Sequence, residues 1–87
     1  MRMSYLKTAD TQYLEILDCL DEAKVNLENA KDSIRDRIKR LSKIREYLGN
    51  ELITDEFNKL DIIKHRLEGL KEMIEEMEKI ILDLQDP

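Results

Sequence analysis

Few side chains in this chain could do chemistry: one histidine, one cysteine, one basic run and a cluster of glutamates. His65 falls on an outer helix position in the frame set out below, and a lone solvated imidazole supports neither a metal centre nor a proton relay. Cys19 has Asp18, Asp21 and Glu22 as neighbours. No base or cation stands beside it to activate a thiolate, so the residue reads as a small half-buried hydrophobe rather than a nucleophile. The run Arg35 to Arg45 holds six Lys/Arg and could present a basic face to phosphates. Against that stand Asp36 inside it, no aromatic to stack on bases, and a net charge of −5. A basic helix C-terminus also suits the negative end of the helix dipole. Glu72, Glu75, Glu76 and Glu78 read as an outer face, with no apolar pocket to lift a carboxyl pKa. No Gly-rich phosphate loop occurs. These residues predict no enzyme, cofactor, metal or small-molecule substrate, and they disfavour a nucleic-acid partner.

The elements that carry these residues are read from hydrophobic spacing. Leu6, Tyr13, Leu20, Leu27, Ile34, Leu41 and Leu48 recur every seven residues. Three residues after each of the first six come Ala9, Ile16, Ala23, Ala30, Arg37 and Ile44. These are positions a and d of a heptad, a pattern for coiled-coil packing. A second frame places Ile53, Leu60, Leu67, Ile74 and Ile81 at a. Glu56, Ile63, Leu70, Met77 and Leu84 follow at d. Arg37 and Glu56 are the polar exceptions in the two d rows.

Gly49, one of only two glycines, lies between the two frames. A residue just past a helix end often needs φ > 0, which Gly adopts cheaply. The expected fold is all-α: an antiparallel two-helix hairpin within one domain, residues 1–87. Helix 1 is expected over about 4–48, a turn over 49–54, and helix 2 over about 55–84, with Thr54 as its N-cap.

Eighty-seven residues make a poor core, so a second chain is expected to complete it. Apolar residues beyond a and d point the same way. Leu17, Ile38 and Phe57 stand at e, and Leu52, Met73 and Ile80 at g. Leu6 and Tyr13 lie where the longer first helix would overhang its partner. The expected partner-binding residues are therefore Leu6, Tyr13, Leu17, Ile38, Phe57, Met73 and Ile80. The partner would be the chain itself or a related helical protein, in a four-helix bundle. Charge is sorted lengthwise: residues 31–71 carry net +3 and the remainder −8, summing to −5. No stretch reaches the ~20 apolar residues of a membrane helix. The first residues lack the apolar core of a signal peptide, so the expected location is cytoplasmic, or outside by a route without a cleavable signal.

Tyr47-x-Gly49 in the turn of a short helical hairpin resembles the WXG family of type VII secretion proteins, with Tyr where that family carries Trp. Phe57, eight residues after Gly49, is similar to the apolar side chain found early in that family's second helix. Phe57-x-x-x-Asp61 resembles its aromatic-x-x-x-acid export signal, which in the family follows helix 2. The resemblance implies export without a cleavable signal, homo- or heterodimeric four-helix bundles, and escort of toxin partners. The residues alone leave a cytoplasmic or phage-borne regulatory adaptor binding a helical target as the alternative.

Substitution of the turn glycine tests the reading of the connection. Gly49→Val is expected to lower the melting temperature, at a cost of about 1 kcal/mol or more. An unchanged thermal transition followed by circular dichroism would instead mean that the helix runs through Gly49.

Overall fold

The computed structural model describes the backbone of residues 2–45 and 51–85, and the side-chain surroundings of residues 10–45 and 53–85. Two helices make up the fold, α1 (Arg2–Arg45) and α2 (Glu51–Gln85). The expected all-α hairpin is what the chain forms. Both helices are rich in Leu, Glu, Lys and Ile and hold no internal proline, so propensity and pattern agree. Lys43 and Arg45 in the last turn of α1 complement its negative dipole end.

Three cross-helix ion pairs show that the helices run antiparallel. Lys24 meets Glu78, Lys31 meets Glu68, and Arg37 meets Glu56, so numbers rise on α1 as they fall on α2. The hairpin measures 70 × 15 × 13 Å. Its long dimension is that of α1, about 66 Å at about 1.5 Å per residue. The shorter α2 spans about 52 Å on the same rise. The N-terminal turns of α1 therefore extend beyond the end of α2.

Helix α2 starts at Glu51 rather than near Asp55, so Thr54 lies inside the first turns and not at the boundary. Packing explains the earlier start. Ile53 is only 8% exposed, and a helical backbone at 53 is what puts that side chain in the seam. Tyr47, Leu48 and Gly49 fall outside the described residues, as does the end of helix 1 expected there.

The core is thin. Among the described residues the buried apolar side chains are Leu41, Ile53 and Ile74, at 3%, 8% and 9% exposure. All three are a residues. Among the described residues no helix is long and apolar enough to cross a membrane.

With so little buried, each core position matters and the outer faces do not. Ile74→Asp is expected to unfold the hairpin, at a cost of about 3 kcal/mol or more for a charge placed in the seam. Gly69 sits on the outer side of α2, where an added Cβ would meet open space. Gly69→Ala is expected to raise stability by about 0.5–1 kcal/mol through helix propensity. Denaturant titration of both variants checks the pair; equal effects would overturn the seam assignment.

Candidate functional site

Which row of side chains joins position a in the seam decides what the surface offers. At about 100° per residue, e lies about 40° to one side of a, and d about 60° to the other. The hairpin is built on a and e. On α1, Leu17, Lys24, Lys31 and Ile38 at e are half-buried or buried; on α2 so are Phe57, Lys64, Lys71 and Glu78. The large apolar d residues are exposed instead: Ile16, Ile44, Ile63, Leu70, Met77 and Leu84, each 37–54% accessible. Sequence spacing placed these in the interhelix seam, and the structure turns them out of it.

Ion pairs account for that rotation. Long Lys stems can line apolar surface while their ammonium heads reach acids. Lys24 Nζ sits 2.7 Å from Glu78 Oε1 across the seam. Lys31 is 7% exposed, with Glu28 Oε1 at 3.5 Å and Glu68 Oε1 at 3.7 Å. Lys71 Nζ donates to Glu28 Oε1 at 3.1 Å. The hydrogen bond with Glu78 raises the Lys24 pKa, and the hydrogen bond from Lys71 lowers that of Glu28. The two polar d residues find each other near the turn: Arg37 donates to both Glu56 oxygens, at 2.8 and 3.3 Å. This fork raises the Arg37 pKa.

Because the helices are antiparallel, both d rows turn to the same side of the hairpin. A shallow groove lined by Ile16, Leu20, Met77, Ile80 and Ile81 joins them there. Met73 and Ile80, each 60% exposed at g, widen that side. The opposite side carries carboxylates; its groove is lined by Asp18, Asp21, Glu75, Glu78 and Lys79 together with Leu17 and Leu82. The hairpin thus has one face of large apolar side chains and an opposite, acidic side with leucines among the carboxylates.

The residues expected to bind a partner divide between these surroundings. Leu17, Ile38 and Phe57 are half-buried in the intrachain seam, and Tyr13 is half-buried on the a row. Met73 and Ile80 are on the apolar face. Leu6 lies in α1, outside the residues whose side chains are described; Tyr47 and Gly49 lie outside the described backbone. The face residues not expected are Ile16, Ile44, Ile63, Leu70, Met77 and Leu84. The sequence did hold a signal for them: oppositely charged e residues, such as Lys24 and Glu78, that can pair across an antiparallel seam.

The other chemistry-bearing residues stay apart. His65 is exposed, its Nδ1 2.8 Å from the Asp61 carbonyl one turn earlier. Cys19 is exposed rather than half-buried. Glu78, expected on an outer face, is in the seam with Lys24. Among the described residues no group of three or more His, Cys, Asp or Glu could hold a metal ion. Comparison with family models, curated proteins and solved structures finds no match for the chain.

The ion pairs at e set geometry more than stability. Removing the buried Lys31 charge leaves its partners Glu28 and Glu68 in water, at 40% and 46% side-chain exposure, so neither is stranded as an unpaired buried charge. Lys31→Met is expected to leave the melting temperature unchanged or slightly raised, within about 1 kcal/mol. A loss of several degrees in a thermal scan would show that the Lys31 pairs hold the hairpin together.

Proposed function

We propose that this chain is a non-enzymatic protein–protein interaction module that docks helices of another chain on its apolar face. One observation carries the reading: the two d rows stand exposed on one side while ion pairs close the seam beside them. Eight large apolar side chains at d and g are exposed on that side among the described residues, against three that are buried. Scattered exposed apolar residues are ordinary, but a continuous stripe along one side of a helix pair marks a contact surface. The shape favours a helical partner, because two parallel apolar rows with a groove between them accept the ridge of a third and fourth helix.

The resemblance of Tyr47-x-Gly49 to the WXG hairpins makes a secretion-associated protein or toxin escort the specific form of this proposal. Phe57 supports the helical-hairpin part of that likeness through its place in the seam.

The face can be tested in the native cell with a photo-cross-linking phenylalanine at Met77, and separately at Glu75 on the acidic side. Adducts of defined mass are expected from position 77 and not from 75. Their absence at 77, or equal capture from both positions, would overturn the docking face. Identification of the captured chain tests the secretion-associated form: a partner outside any export machinery or toxin set would remove it.

A further inference from the structure

We infer that the occupant of the apolar face is a second copy of this chain, laid against it in the opposite direction. The inference rests on the interaction reading above and names its partner. Three features of the hairpin support it.

The first is surface. The accessible area is 7323 Å² for a chain of 10.4 kDa. A compact monomer of that mass exposes about 5,400 Å². The excess is about 1,900 Å², and a stable interface removes about 800 Å² from each partner. Self-association through one face is thus within the area the hairpin has to cover.

The second is the lengthwise position of the apolar stripe. Ile63 lies toward the turn, Leu70 and Met73 are central, and Met77, Ile80 and Leu84 lie toward the open end. The middle of α1 contributes Ala23 and Ala30 at d, which are half-buried and small enough for a close approach. A two-fold axis at the level of Ala30 and Leu70 superposes each stripe on its mate. With the axis there, the Arg45 end of α1 in one copy comes to the level of residue 15 of the other, where α2 ends and the overhang of α1 begins.

The third is charge. Near the turn the rim of the apolar face carries Arg40, Lys59 and Arg66, all exposed. Toward the open end it carries Glu15, which borders Ile16 and Cys19 in one groove, and Asp83. The opposed arrangement brings Lys59 and Arg40 to within about 3–8 Å of the levels of Asp83 and Glu15 of the other copy. A parallel one sets the two −8 halves side by side, and like charges held close repel.

Sedimentation equilibrium of the purified full chain at tens of micromolar is expected to give twice the 10.4 kDa chain mass. Leu70→Glu is expected to halve that mass while helical circular dichroism is kept, since Leu70 is exposed within one hairpin. A spin label at Asn58→Cys, in a Cys19→Ser chain, reads the direction. Asn58 is twelve residues from the axis level, so opposed copies separate two labels by about 36 Å along the bundle, and parallel copies by almost nothing. A helical monomer in the wild type, a Leu70→Glu dimer, or a short label distance would each overturn the inference. A wild-type monomer whose Met77 position still captures a different chain in the cell would remove the second copy and leave the interaction module standing.

Discussion

Lys31 is the tightest charged constraint in the hairpin, at 7% exposure between Glu28 and Glu68. An ammonium group cannot be left so far from water without acids nearby. The seam must therefore place α1 so that position e, not d, faces α2 beside the a row. Lys24 with Glu78 and Lys71 with Glu28 repeat the requirement at other levels. None of these pairs is a large source of stability, because the carboxylates keep contact with water. Their effect is angular: they choose one of two rotations that the apolar a rows would tolerate almost equally.

That choice has a consequence across the molecule. Burying the d rows would have put Ile63, Leu70 and Met77 in the seam and left the lysines at e on its edge. Burying the e rows leaves Ile63, Leu70 and Met77 outside. The buried apolar set is then confined to a few a residues such as Leu41 and Ile74, too little for a domain of this size to stand comfortably alone. The same rotation gathers the polar groups onto the other side, where Asp18, Asp21 and Glu75 line one groove. The side with the two d rows, Met73 and Ile80 is then the broader apolar surface on which helices can pack.

The helices were legible in the spacing of residues such as Leu27, Leu41, Ile53 and Ile74, because a sustained seven-residue repeat has few other meanings, and their antiparallel course was legible in the short connection between the two frames. The rotation was not, because apolarity alone favours d over e: Ile63 and Leu70 look more like seam residues than Lys64 and Lys71 do. Periodicity weighs a side chain by its type, whereas a Lys stem can bury its methylenes and deliver its charge to an acid on the facing helix. Reading that needs the pairing between helices, as Arg37 and Glu56 show. Each is an exception in its own row, and only the folded hairpin makes them a pair. The start of α2 was misplaced for a related reason: Thr54-Asp55-Glu56 carries the local chemistry of a helix beginning, but burial of Ile53 requires the helix sooner.

Affinity and direction would have separate sources in a bundle built on this face. Apolar area supplies the affinity, at roughly 25 cal/mol per Å² before the entropy of association is set against it. Direction cannot come from the apolar stripe, because Leu, Ile and Met side chains pack almost equally well in either sense. It must come from groups whose energy changes sign on reversal, and the charges are the groups that do so. Arg40, Lys59 and Arg66 on one half of the rim and Glu15 and Asp83 on the other are exposed, so each pair is worth little. A small preference summed along a bundle about 70 Å long is nevertheless enough to bias two otherwise similar orientations. Salt would therefore erode the choice of direction before it eroded the contact itself, since screening over about 8–10 Å acts on exposed charges and leaves apolar burial in place.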